Sequence, residues 1–165
     1  MSAPSTHRIG LVSDTHGMLR PEVFTALEGV ELIFHAGDVG PDELLDRLEA
    51  IAPVQAVFGN TDSPGRLRLQ EAIDTSIGGV RLHVSHGHEI GVPTPVRLVA
   101  AYDADVIVYG HTHRQLIERI GAQLVVNPGA AGARRFNLAP SVAILTIEAG
   151  EAEVSLIPLA VAAAG

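Results

Sequence analysis

Three short apolar runs, at residues 8–13, 31–36 and 54–58, alternate with two segments of helical character, and each run stops at a motif carrying an acid or an amide. Strand, helix, strand, helix, strand, with the helices on the crossovers, predicts a parallel sheet whose strand ends lie along one edge. The first run ends in Asp14-Thr15-His16-Gly17, the second in Gly37-Asp38 and the third in Gly59-Asn60-Thr61-Asp62. Pro21 to Glu28 suits a helix with proline in its first turn. Pro41 to Ala50, with Leu44, Leu45 and Leu48 set among acids, suits a second, amphipathic one. Asp and Gly favour turns for their own reasons. Three successive strand ends that each carry a metal-capable group are harder to explain as turn chemistry.

The pattern continues down the chain. Ser63 to Gln70 reads as a polar loop, and Glu71 to Ile77 as a strand paired through Gly78-Gly79 to Val80–Ser85, which meets His86-Gly87-His88. Thr94 to Tyr102 is expected to be a helix capped by Thr94, with Pro95 at its first position. It leads into the apolar run from Asp105, which stops at Gly110 and delivers His111 and His113. Residues two apart on a strand share a face, and a turn at Gly110 could set both imidazoles at a strand's C-terminal edge, where open α/β sheets bind ligands. Period-2 alternation follows. Gln115–Ile120 and Gln123–Val126 read as a hairpin around Gly121-Ala122, closed by Asn127-Pro128-Gly129. A loop at 130–140 holds Arg134 and Arg135, and a final hairpin joins Ser141–Glu148 to Glu153–Leu159 around Ala149-Gly150. The expectation is a parallel first half, an antiparallel last half and a frayed tail at 160–165. No linker or repeat divides residues 1–165, so one domain is expected.

Composition narrows the chemistry. At 165 residues and 47% hydrophobic content the chain can bury a full core. It has no cysteine, which excludes disulfides, thiolate zinc sites and a cysteine nucleophile. All 11 basic residues are arginine, which excludes a Walker-type phosphate lysine and a Schiff-base lysine. No G-x-S-x-G elbow occurs. A formal charge of -8 argues against nonspecific nucleic-acid binding, which rests on basic surface. Met1 to Arg8 lacks the apolar core of a signal peptide and no apolar run reaches membrane-spanning length, so a soluble, cytoplasmic protein with no membrane partner is expected. Any metal must be held by His, Asp, Glu or Asn.

Taken together, the strand ends present Asp14, His16, Asp38, Asn60, His86, His111 and His113. Carboxylate oxygen, imidazole nitrogen and an amide carbonyl in that number suit two first-row divalent ions sharing one carboxylate. The ordered set Asp14-Thr-His16, Gly37-Asp38, Gly59-Asn60-Thr-Asp62, His86-Gly-His88 and Gly110-His111-Thr-His113 resembles the calcineurin-like metallophosphoesterases, and within them the small single-domain bacterial and archaeal phosphodiesterases. Asn127-Pro-Gly129 is similar to the family's closing turn, although the serine common after it is Ala130 here. The resemblance implies an α/β fold, a sandwich of two β-sheets flanked by helices, with metals at strand C-termini. It implies a first metal on Asp14, His16, Asp38 and His113, and a second on Asp38, Asn60, His86 and His111, with Asp38 bridging. Manganese leads as the metal, with iron, zinc or nickel also compatible.

Two ions about 3.5–4 Å apart can lower a bound water's pKa toward neutrality and clamp phosphoryl oxygens for in-line attack. Asp38, Asn60 and His88 are then the residues expected to face the reaction, His88 as a neighbour of the ligands or a substrate contact. The substrate would be a small phosphate ester, with nucleic acid only as a substrate, and a homo-oligomer is allowed. Many larger relatives have histidine where Thr61 stands and assign it to protonate the leaving group. Threonine cannot do so near neutral pH, so departure would rely on a good leaving group, on water or on His88, and activated diesters should be turned over best. Asp62 is expected to orient the asparagine loop or to serve a turn; Arg114, Arg134 and Arg135 are candidates to meet the phosphoryl charge, with a solvated surface position the favoured reading for each. His7, His35 and His83 are not expected to be ligands, His35 being a packed core residue or a donor behind the site. The alternative function is a noncatalytic protein-interaction scaffold on the same fold, since fold does not fix function.

Overall fold

A computed structural model describes residues 6–133 and 138–159. In chain order the elements are β1 (Thr6–Val12), α1 (Glu22–Ala26), β2 (Leu32–His35), α2 (Asp42–Leu48), β3 (Val54–Val57), β4 (Leu69–Gln70), β5 (Ile73–Ile77), β6 (Val80–Val84), α3 (Pro95–Ala101), β7 (Val106–Val108), β8 (Leu116–Ile120), β9 (Gln123–Asn127), β10 (Ser141–Glu148) and β11 (Glu151–Pro158). They form two mixed sheets, ordered β11-β10-β1-β2-β3-β4 and β5-β6-β7-β9-β8. This is an α/β sandwich with helices on its outer faces. None of the helices among the described residues is long and apolar enough to cross a membrane.

Strand alternation explains the layers. On β1 and β2, Ile9, Leu11 and Phe34 point between the sheets, where they meet Leu82, Val84, Val106, Val108, Leu124 and Val126 of the second sheet. Val12 and Ile33 point outward and pack with Val23 and Leu27 of the α1 region and Leu44, Leu45 and Leu48 of α2. On the far side, Ile107 and Val125 pack with Leu98 of α3. Because the central strands are buried on both faces, they read in the sequence as unbroken apolar runs.

Two expectations are corrected. The second half is not antiparallel throughout: β7 pairs in parallel with both β6 and β9. The crossover through α3 returns β7 in the direction of β6, and the β8–β9 hairpin places β9, not β8, beside it. The expected polar loop at 63–70 ends in a two-residue edge strand, β4, paired in parallel with β3. Such a short element has no period to betray it. The last hairpin forms as expected around Ala149 and Gly150, whose φ values of 53° and 76° suit the primed turns that match strand twist, and β11 starts at Glu151. The expected cap on α3 is present, Thr94 Oγ1 accepting from the Arg97 backbone N–H at 3.3 Å. The tail at 160–165 lies outside the described residues, as do Arg134 and Arg135.

Candidate metal centre

Each parallel strand that ends at this edge is followed by a turn, and these turns carry the polar side chains. Asp14, His16, Asp38, His111 and His113 all have positive φ, between 47° and 70°. Only one other non-glycine among the described residues, Ala149, shares that feature. Left-handed backbone is costly for L-residues, on the order of 1 kcal/mol or more at each position. Concentrated at five convergent side chains, it marks a place where geometry has overridden local preference. His111 and His113 therefore do not share a face by strand alternation, because β7 has already ended at Val108. Two left-handed residues in the following turn set their directions.

Those directions diverge. His113 Nε2 stands 3.4 Å from Asp14 Oδ1, and its ring centroid is 5.4 Å from that of His16. His16 Nε2 is 3.8 Å from Asp14 Oδ1 and 3.6 Å from Asp38 Oδ2. His111 Nδ1 lies 3.1 Å from Asn60 Oδ1, and its ring is 5.2 Å from that of His86. His86 Nε2 is 3.2 Å from Asp38 Oδ2 and 3.1 Å from Asn60 Oδ1. All seven side chains expected from the sequence thus meet at one edge. His86 and the bracketing acids also draw Asp14, Asp38 and His86 into a single group with donor atoms mutually within 4.8 Å, beside the group of Asp14, His16 and His113.

The electrostatics suit a cation. Among the described residues Asp14 Oδ1 is buried with no hydrogen-bond partner. His86 Nδ1 lies 2.8 Å from the Ala36 carbonyl, so it donates there and Nε2 is left facing two oxygens. A bare lone pair in that position is repelled by both, so a proton or a metal ion has to stand between them. Burial depresses the His86 pKa, but the Asp38 hydrogen bond and the charges of Asp14 and Asp38 outweigh it, and the net shift is upward. Burial likewise works against the Asp38 carboxylate, yet His86 and the N–H and hydroxyl of Thr61 hold its pKa well below the usual range. His111 is shifted down by burial and by the neighbouring His86. Carboxylate, imidazole and amide oxygen at these spacings form a donor set into which divalent ions fit.

Several supporting residues had no metal-like signature in the sequence. Asp62 accepts from the backbone N–H groups of Val39, Gly40 and Gly59 at 2.9–3.2 Å, tying the Gly-Asp turn to the Gly-Asn turn. This agrees with its expected orienting role. Asn127 donates to the Gly110 carbonyl and to Thr112 Oγ1, both at 3.1 Å, and so holds the loop bearing His111 and His113. Thr61 Oγ1 donates to Asp38 Oδ1 at 2.7 Å and its N–H does so at 2.9 Å. Its hydroxyl is committed to the carboxylate. Of the three expected arginines, only Arg114 lies among the described residues, and it is exposed.

A model of the calcineurin-like phosphoesterase superfamily domain matches residues 8–150. The chain belongs to that superfamily. Its members use divalent metals. The chain is 34% identical over 157 residues to a probable metallophosphoesterase of Methanothermobacter thermautotrophicus, covering 90% of this chain and 91% of that protein. It is 30% identical over 163 residues to a phosphodiesterase of Methanocaldococcus jannaschii, covering 87% and 95%. The structure of Vacuolar Protein Sorting 29 from Cryptosporidium parvum superposes with a TM-score of 0.79 at 20% identity, covering 94% and 98%, which is a likeness of fold.

The histidines not expected to be ligands have other partners in this superfamily member. His7 pairs with Glu31 at 3.0 Å. His83 is buried, bonded to Asp74 at 2.7 Å and to Ser85 at 3.0 Å, and stacked on Tyr102 with centroids 3.7 Å apart. His35 is fully buried behind the centre. Its Nδ1 accepts from the Gly37 N–H at 3.1 Å, so Nε2 carries the proton and donates to Thr15 Oγ1 at 2.9 Å, which donates on to the Val39 carbonyl at 2.8 Å. One neutral imidazole thus joins two metal-facing turns.

Burial pushes the His35 pKa from 6.5 down to about 4, against the raising effect of the nearby acids. As pH falls below 6.5 the unfolded chain takes up this proton and the native one does not. The stability held above pH 6.5 is therefore lost progressively toward pH 4. Metal-free protein is expected to lose about 2 to 3 kcal/mol from this group between pH 7 and 4.5. Urea denaturation of the wild type and of His35→Asn, which keeps an acceptor for Gly37, measures it. An equal pH slope in the two proteins would remove the effect.

Proposed function

We propose that this protein is a dinuclear, metal-dependent phosphodiesterase. The observation that carries the reading is the arrangement of the cluster: His16 and His113 gather about Asp14, His86 and His111 about Asn60, and Asp38 lies between them, 3.6 Å from His16 and 3.2 Å from His86, with Asp14 also 3.9 Å from His86. In this reading Asp14, His16, Asp38 and His113 hold one divalent ion, and Asp38, Asn60, His86 and His111 hold the second, with manganese the first choice. The ions supply Lewis acidity for hydrolysis at phosphorus near neutral pH and positive charge for the phosphoryl oxygens.

The chain's own residues position and tune this centre. Asp38 is kept ionised by Thr61 and His86. His86 is oriented by its bond to the Ala36 carbonyl, which leaves Nε2 for the cation side. Asn60 presents its side-chain oxygen between His86 and His111. His88, half-buried with its ring 5.3 Å from that of His86, contacts the substrate. No general acid is available from Thr61, whose hydroxyl is engaged with Asp38, so diesters with low-pKa leaving groups are the preferred small substrates. The likeness in name to relatives called metallophosphoesterase and phosphodiesterase supports this reading. The fold likeness to a vacuolar sorting protein keeps a protein-interaction scaffold as the second reading.

Metal analysis combined with hydrolysis of bis-p-nitrophenyl phosphate separates the two. Two equivalents of metal per chain with metal-dependent turnover are expected. Absence of both favours the scaffold. His111→Ala is expected to lose the ion on the Asn60 and His86 side, and His113→Ala the ion on the Asp14 and His16 side. If both variants lose the same single ion, as located by anomalous scattering, the division of ligands is wrong.

A further inference from the structure

Two ring side chains stand beside the centre without a part in holding metal. Phe58 follows β3 and immediately precedes Gly59 and Asn60. It is half-buried, packed in part against the core beneath α1 and α2. Its ring centroid lies 6.3 Å from that of His88, at an interplanar angle of 54°. The His88 ring is in turn 6.3 Å from the His111 ring and 5.3 Å from the His86 ring. Phe34, by contrast, is fully buried between the sheets. Phe58 is partly exposed where Phe34 is fully buried, so it forgoes some of the burial that Phe34 obtains, and with His88 it forms a small pair of rings on the Asn60, His86 and His111 side.

We propose that Phe58 and His88 form a subsite for a planar ring, a nucleobase, carried by the phosphodiester. The inference rests on the phosphodiesterase reading above and names its substrate class, nucleoside-bearing diesters. Charge and hydrogen bonds in the cluster serve the phosphoryl group. A nucleobase is uncharged, and ring contact is an attraction that it offers to Phe58 and His88. The tilt and the 6.3 Å separation do not make a slot between the two rings. A base lies over one face and meets the other ring with its edge, the two arrangements that aromatic quadrupoles favour. Such stacking accepts any base, because every base has a π-face.

The test compares thymidine 5′-(p-nitrophenyl) phosphate with methyl p-nitrophenyl phosphate on the metal-loaded protein. The two share a leaving group and differ in the nucleoside, sugar and base, that stands in place of methyl. In Phe58→Leu the preference for the thymidine ester, as a ratio of kcat/KM values, is expected to fall about five- to hundred-fold, and Phe58→Tyr is expected to retain it. Calorimetry with thymidine 5′-monophosphate and with methyl phosphate is expected to show the same loss of preference without turnover. Equal effects on both esters overturn the subsite and leave the phosphodiesterase reading standing. If the wild type hydrolyses neither ester, the phosphodiesterase reading fails, and calorimetry decides the subsite: thymidine monophosphate binding no tighter than methyl phosphate overturns it.

Discussion

Asp38→Asn is expected to lower kcat/KM for bis-p-nitrophenyl phosphate by about a thousandfold and to leave fewer than two metal equivalents per chain. The side chain is nearly isosteric, so the effect comes from charge. Asp38 Oδ1 accepts two bonds from Thr61, and Oδ2 faces His86 and His16 at 3.2 and 3.6 Å. An amide can satisfy Thr61 only by turning its NH2 group toward the two imidazoles, where a cation should sit. Both halves of the centre lose the same anion. The His86 pKa, now raised by Asp38, is expected to fall, which histidine proton resonances can follow in metal-free protein. Circular dichroism should stay that of the wild type. Wild-type metal content with a wild-type rate would end the bridging role assigned to Asp38.

Gly59→Ala is expected to be severely damaging although it removes no functional group. A Cβ at Gly59 would overlap Asp38 Oδ1 and the Asp38 backbone nitrogen, and would stand 2.7 Å from Asp38 Cγ. A side chain can rotate away, but backbone held by Asp62 through Val39, Gly40 and Gly59 cannot. Overpacking of this kind is expected to cost about 3 kcal/mol or more, read as a fall in the urea midpoint, together with loss of activity comparable to that of Asp38→Asn. Gly65→Ala is the control, since a Cβ there meets nothing within 4 Å. Similar stability of the two alanine variants would show that the Gly-Asp and Gly-Asn turns can separate without harm.

These two effects differ in how far they could be foreseen. Asp38 was visible because its carboxylate closes an apolar run, as Asp14 and Asn60 do in the neighbouring strands. Gly59 was visible only as a turn residue. Its close approach to Asp38 depends on two strand ends being brought side by side. The same holds for Asp62, whose donors Val39 and Gly40 lie on another turn, and for Asn127, which grips Gly110 and Thr112 across 15 or more residues of chain. His35 could be judged a buried residue from its apolar strand, yet its tautomer and its link to Thr15 are set by partners that are themselves placed by the sheet.

By itself the sequence determined the parallel order of the first three strands, the turns at their ends and the kinds of donor that those turns carry. These are local properties: a period of two, an abrupt end to apolarity, and residue types whose chemistry does not depend on context. Tertiary structure alone decided that β7 runs parallel to both neighbours and that five of the donors sit in left-handed backbone, and it supplied the geometry by which His111 turns to Asn60 and His86 while His113 turns to Asp14 and His16, a split that the motifs implied only by resemblance. The physical reason is that each of these depends on partners distant in the chain. Two histidines one residue apart are equivalent until a folded sheet edge offers one an amide and the other a carboxylate.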